Sequence, residues 1–168
     1  PIRFQNKKIV RVPYNGLPIE IPGTIEVENF DVGIEGESYH DTDVDNLGSY
    51  YRIGPGVDIY KGYFLDIYVA NVKEGEWLEY TTNVKQRGRY QVDAYVSSVQ
   101  GRGKFSLIFK NNEKITFDVN STGDLKNFVK VSQEVALDSG PQVVRLLIEN
   151  EPDFGIDKIV FNLITTME

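Results

Sequence analysis

Along most of the chain, apolar and polar residues alternate with period two or gather in short β-branched runs, interrupted by glycine, proline, asparagine and aspartate. No stretch keeps a helical period beyond a turn or two. The clearest alternation is Gly75-Glu76-Trp77-Leu78-Glu79-Tyr80-Thr81-Thr82-Asn83-Val84. On a strand it sends Leu78, Tyr80 and Thr82 to one face and Trp77, Glu79 and Thr81 to the other, so Trp77 and Tyr80 cannot share one role. The same pattern predicts strands over 9–12, 24–29, 57–59, 67–71, 76–84, 89–97, 104–110, 113–119, 128–136, 142–149 and 156–163. Strands at this spacing predict an all-β fold, a jelly-roll-like β-sandwich of two antiparallel sheets.

Turn chemistry suggests which strands are joined. Asn111-Asn112 is a two-residue hairpin signal, because asparagine tolerates the positive φ of a type I′ turn. Gln86-Arg87-Gly88 is expected to close a hairpin after 76–84, and Asp138-Ser139-Gly140-Pro141 a later one. Pro13, Pro18 and Pro22, with Gly16, mark an extended lead-in, which divides the chain into a lead-in or linker, 1–22, and a sandwich, 23–168. Residues 31–55 form an unusually long irregular loop, a feature that function, a ligand or a metal commonly explains.

A net charge of -7 argues against nucleic acid and anionic membrane as partners, since either needs a concentrated basic face. With no cysteine, a disulfide frame, a thiolate metal site and a cysteine nucleophile are all excluded. His40 is the one histidine, and a lone imidazole reads as a structural hydrogen-bonding residue. Glu76 and Glu79 lie three apart on a strand, on opposite faces, and so cannot act as a retaining-glycosidase pair. The chain is therefore expected not to be an enzyme, and to be a monomer.

Six segments occur in an order characteristic of one family: Thr24 with Ile25-Glu26-Val27-Glu28-Asn29-Phe30, Tyr39-His40-Asp41-Thr42-Asp43, Tyr51-Arg52, Gly56-Val57-Asp58-Ile59, the strand from Gly75 with Gly88-Arg89-Tyr90, and Phe154 to Phe161. The chain resembles a family 6 carbohydrate-binding module, a β-sandwich accessory domain of secreted polysaccharide-degrading enzymes. The resemblance covers about residues 23–163. It implies a non-catalytic, extracellular module of a glycoside hydrolase that binds a β-linked glycan of agar, laminarin or xylan type, with a catalytic domain as neighbour in the same chain. The alternative is a structural interdomain sandwich that has lost its sugar site and packs against that catalytic domain.

Family members clamp a pyranose at the sandwich edge between two aromatic residues and hydrogen-bond it with an asparagine. By spacing those positions fall here on Asn71, Leu125 and Gly155, all departures from the family. Tyr68 is a candidate displaced platform, as is Phe128. A second site, present on the concave sheet face of some family members, would use Trp77, Glu79 or tyrosines on neighbouring strands here. The resemblance further implies a structural calcium held by Glu26, Glu28 and Asp157; hard carboxylate oxygens suit that cation. The alternative is a solvent-facing glutamate pair. Asp41, Asp43 and Asp45 lack the glycine and glutamate of an EF-hand and are expected to stabilise their loop through Asx turns. Tyr50, Tyr51, Tyr60, Tyr63, Phe64 and Tyr68 are expected to be core, the alternatives being an exposed sugar-stacking surface or an apolar patch that docks onto a neighbouring catalytic domain.

Overall fold

The computed structural model describes residues 11–48, 51, 52, 54, 56–151 and 153–168. Period-two patterning becomes twelve strands among them: β1 (Ile19–Ile21), β2 (Gly23–Glu26), β3 (Tyr39–His40), β4 (Ile59–Lys61), β5 (Ile67–Val69), β6 (Trp77–Val84), β7 (Gly88–Ser97), β8 (Gly103–Ile108), β9 (Lys114–Val119), β10 (Val129–Leu137), β11 (Gly140–Asn150) and β12 (Gly155–Thr166). One sheet runs β1-β6-β11-β8-β9, with β3 also on β6; the other runs β10-β7-β12-β5-β4, with β2 also on β12. Each strand turns alternate residues inward. Leu78, Tyr80, Val144, Leu146 and Phe105 from the first sheet join Tyr90, Val92, Val96, Ile159 and Phe161 from the second in one buried core. Each such side chain contributes roughly 1.5–3 kcal/mol on burial. The Tyr80 hydroxyl, fully enclosed, donates to the Val27 carbonyl at 2.7 Å.

The expected hairpin after 76–84 does not form. β6 pairs with β11 and β7 pairs with β10 and β12, so residues 85–87 carry the chain from one sheet to the other. The turn between β10 and β11 crosses sheets in the same way. A tight turn reverses the chain whichever sheet receives the next strand, and in a sandwich both choices bury the apolar face. The Asn111-Asn112 signal holds: both residues have positive φ, 64° and 61°, between the paired strands β8 and β9.

The sandwich begins before Gly23. Ile19–Ile21 runs parallel to the edge of β6 and buries Ile21 completely, with Pro18 and Pro22 outside the short ladder. Further upstream Val12 and Val32 exchange backbone hydrogen bonds of 3.1 and 2.7 Å. Of the strand expected over 9–12, residues 9 and 10 lie outside the described part. The long loop is pinned by side chains: Asp43 N–H donates to Asp41 Oδ1 at 2.8 Å, the expected Asx turn, and Thr42 Oγ1 donates to Glu76 Oε1 at 2.6 Å. Arg52 donates to the Phe30 carbonyl at 2.6 Å with its guanidinium 3.7 Å from the Phe30 ring centre.

Candidate functional site

The outward residues of β6 meet side chains from three other segments. Arg145 of β11 stands opposite Glu79 in the ladder; its Nε and Nη2 reach Glu79 Oε1 at 2.8 and 2.6 Å, and its guanidinium lies 4.1 Å from the Trp77 ring centre. Arg11 pairs with the other oxygen, Glu79 Oε2, and its Nε is 3.6 Å from Asp31 Oδ2. Asp31 in turn accepts from Thr81 N–H at 2.9 Å and Thr81 Oγ1 at 2.6 Å. Burial raises the Asp31 carboxyl above its usual range, with the Thr81 hydrogen bonds and Arg11 opposing.

Glu79 is thus 5% exposed, between two guanidinium groups. Named with Trp77 for a concave-face site, Glu79 is paired through both its oxygens and holds Arg145 against the Trp77 ring, because a carboxylate flanked by two arginines is better paired with them than with solvent. Trp77 is half-buried and keeps the outer face that alternation assigns it.

Beyond Trp77 the same surface continues. His40 of β3 is in register with Trp77, its ring centre 6.3 Å away, and its Nδ1 lies 2.5 Å from Glu35 Oε1. Past Glu35 the surface opens into a groove of about 570 Å³ lined by Tyr14, Ile34, Tyr39, Tyr51 and Arg52, among others. The Tyr14 and Tyr51 rings are 5.8 Å apart and tilted by 38°, the Arg52 guanidinium is 4.8 Å from the Tyr14 ring centre, and Tyr51 donates to Asn29 Oδ1 at 2.9 Å. Aromatic faces beside guanidinium and carboxylate groups are what a sugar ring requires, with its apolar C–H faces and its hydroxyls. The sequence did not mark Arg145, Tyr14 or Tyr39 as site residues, whereas Tyr51 belongs to the aromatic run for which a sugar-stacking surface was the alternative to core. Only their aromatic or basic type could have marked them, since they meet through long-range contacts.

At the sandwich edge the structure brings Tyr68, Leu125 and Gly155 together and packs Gly155 too closely for a side chain. A Cβ at Gly155 would lie 2.6 Å from Ser97 Oγ, 3.2 Å from Tyr68 Cδ2 and 3.4 Å from the Leu125 carbonyl oxygen. Ser97 Oγ donates to that carbonyl at 2.6 Å. Tyr68 is 3% exposed, stacked on Tyr60 at 5.8 Å and met by the edge of Phe128 at 5.2 Å, so neither it nor that contact face of Phe128 offers a platform. Asn71 turns away at φ 58° and donates to Asp58 Oδ2 at 2.5 Å. Not all the aromatic run is core: Tyr63 and Phe64 at the β4–β5 tip are 64% and 86% exposed. Tyr50 lies outside the described residues.

The three carboxylates assigned to calcium do share one neighbourhood. Glu26 ends β2, while Glu28 sits in a 3-10 turn, Val27–Asn29, so the two are not alternate positions of one strand. Asp157 follows from β12, where the adjacent Lys158 pairs with Glu26. Burial, reinforced by the charges of Glu26 and Asp157, pushes the Glu28 carboxyl up to about 8. Burial also pushes Asp157 up to about 6, with Glu26 and Asp66 adding to it and Lys158 opposing. Among the described residues no three His, Asp or Glu side chains already close into a metal cluster. The buried Glu28 Oε2, however, has no hydrogen-bond partner, and an orphaned oxygen between repelling carboxylates fits a hard cation.

The family model "Carbohydrate binding module (family 6)" matches residues 49–163. Among solved structures, CsCBM6-3 from Clostridium stercorarium in complex with cellobiose aligns at TM-score 0.65 and 19% identity, covering 88% of this chain and 98% of its own. A module of Cellvibrio mixtus lichenase 5A in complex with cellotriose aligns at TM-score 0.64 and 16% identity, covering 86% and 98%. The C-terminal module of a marine laminarinase from Zobellia galactanivorans aligns at TM-score 0.61 and 21% identity, covering 82% and 95%. No curated protein matches the chain.

Proposed function

The chain belongs to carbohydrate-binding module family 6, a non-catalytic binding family, and on that premise we propose that it is the glycan-binding part of a secreted glycoside hydrolase. The ligand is a β-linked polysaccharide of agar, laminarin or xylan type, bound across the outer face of β3, β6 and β11. The observation that carries this reading is the run of contacts from Arg145 and Trp77 to His40 and on to Glu35, which also lines the tyrosine groove. Similar structures are described with cellobiose, cellotriose and xylose, and one as binding β-1,3-glucan. The absence of the family's two aromatics and asparagine at Asn71, Leu125 and Gly155, with Gly155 too closely packed for a side chain, supports this face over the edge. Glu26, Glu28 and Asp157 would hold a structural calcium, whose charge would offset the repulsion among their carboxylates.

One observation favours a second reading: Tyr63, Phe64 and Leu65 form an exposed apolar tip, suited to packing against a neighbouring catalytic domain. Affinity electrophoresis in gels containing laminarin, xylan or agarose separates the two. Retardation of the wild type that is lost in Trp77→Ala supports glycan binding on the outer face; no retardation with any glycan supports the structural role.

A further inference from the structure

The lead-in looks by composition like a tether, yet its residues engage the outer face at three points. Arg11 reaches Glu79, Asp31 and the Glu37 carbonyl, drawing β6 and the long loop to the same guanidinium. Val12 adds a two-way backbone bridge to Val32, a lining residue of the groove. Two residues on, Tyr14 lies 4.8 Å from the Arg52 guanidinium and 5.8 Å from Tyr51. Strand β1 then continues along β6, with Lys85 N–H donating to the Ile21 carbonyl at 2.8 Å. The segment around Arg11 and Tyr14 is a wall of the groove and not a free linker.

Resting on the outer-face reading above, we propose that Tyr14 contacts the glycan and that Arg11 is a positioning residue that holds it there. The spacing sets the mode of contact. Rings 5.8 Å apart leave no room for a pyranose between them, since each face of a sugar needs about 4 Å to an aromatic plane. Tyr14 and Tyr51 therefore act as one bent platform. A ring laid along it has Arg52 and Glu35 within the same groove for its hydroxyls. The platform favours a curved neutral chain over a flat one, because its two planes differ by 38°.

The test uses the whole chain with laminarin, xylan and agarose as probes, comparing wild type with Tyr14→Ala, Tyr14→Phe, Arg11→Ala, Arg11→Lys and Trp77→Ala. Near-ultraviolet circular dichroism checks that each variant keeps its fold. We expect about tenfold weaker binding for Tyr14→Ala, near wild-type binding for Tyr14→Phe, weaker binding for Arg11→Ala and partial rescue by Arg11→Lys. If Trp77→Ala abolishes binding while Tyr14→Ala binds as wild type, the outer-face reading stands and this inference falls. Tighter binding by Arg11→Ala overturns it as well, making the segment a cover over the site. A wild type that binds none of the glycans overturns both readings.

Discussion

Arg145 lays its guanidinium 4.1 Å from the centre of the Trp77 ring while its Nε and Nη2 hold Glu79. The arginine is thus fixed by a cross-strand carboxylate on one side and an indole on the other. Removing Arg145 frees the ring and unpairs half of a buried carboxylate. Arg145→Ala is expected to lose stability by about 1–3 kcal/mol, the cost of leaving a buried group without its partner. Trp77→Ala, by contrast, is expected to weaken glycan binding at least tenfold with a small change in stability. Urea unfolding and affinity gels run on the same preparations separate the two; equal loss of binding in both variants with unchanged stability would count against this division of labour.

The proposed calcium and pH are expected to act on one group. Glu28 has its folded-state pKa raised from 4.5 to about 8. The folded chain therefore holds that proton more tightly than the unfolded one. This contribution is complete below about pH 4.5 and is lost as pH rises through about 8. Asp157, raised from 3.8 to about 6, acts in the same direction over a lower window. In chelator, Tm is expected to fall between pH 5 and pH 8, and added calcium to reverse the trend by keeping the carboxylates ionised. At about a hundred times Kd the gain is about 2.7 kcal/mol, or roughly 5–10 °C in Tm. Glu28→Gln is expected to remove the upper part of the pH slope, leaving the Asp157 part below about pH 6, and to remove most of the calcium response. An identical slope with and without calcium would sink the assignment.

The edge position tests whether a family residue can simply be restored. A Cβ at Gly155 falls 2.6 Å from Ser97 Oγ, whose hydrogen bond to the Leu125 carbonyl resists displacement. Gly155→Asn is expected to cost about 1–3 kcal/mol through overpacking and to add no sugar affinity. A variant that gained edge binding without loss of stability would show that the site opens more readily than its packing implies.

Tyr80 ties the core to the carboxylate turn. Its buried hydroxyl donates to the carbonyl of Val27, the residue before Glu28. Tyr80→Phe is expected to cost about 1–3 kcal/mol, because a buried acceptor is left without a donor. Calcium affinity is expected to fall as the turn loosens; isothermal titration with unchanged affinity would place the effect in the core alone.

The strands and their faces were largely legible, and their partners were not. Asn111-Asn112 announced a hairpin correctly because both residues must carry positive φ themselves, a local demand. Gln86-Arg87-Gly88 announced a reversal but not its destination, and β7 went to the opposite sheet. The lead-in hid β1, since three isoleucine-rich residues between prolines are too short to show a period. The candidate site was legible in part. Alternation put Trp77 on the face opposite Leu78 and Tyr80, whereas Tyr68 had the right chemistry but is enclosed by Tyr60 and Phe128.

By itself the sequence determined that this is an all-β chain and that Leu78 and Tyr80 share one face of a strand whose other face carries Trp77 and Glu79, because a strand's period of two is written in adjacent residues; which of the two faces meets the core was decided by the packing of the sheets. Tertiary structure alone decided that Glu79 is buried between Arg11 and Arg145, that Gly155 is packed too closely for a side chain, and that Tyr14 reaches the groove. The physical reason is distance along the chain. Arg11 and Arg145 lie 68 residues before and 66 after Glu79, and no local pattern encodes a contact that exists only once two sheets have closed on a common core.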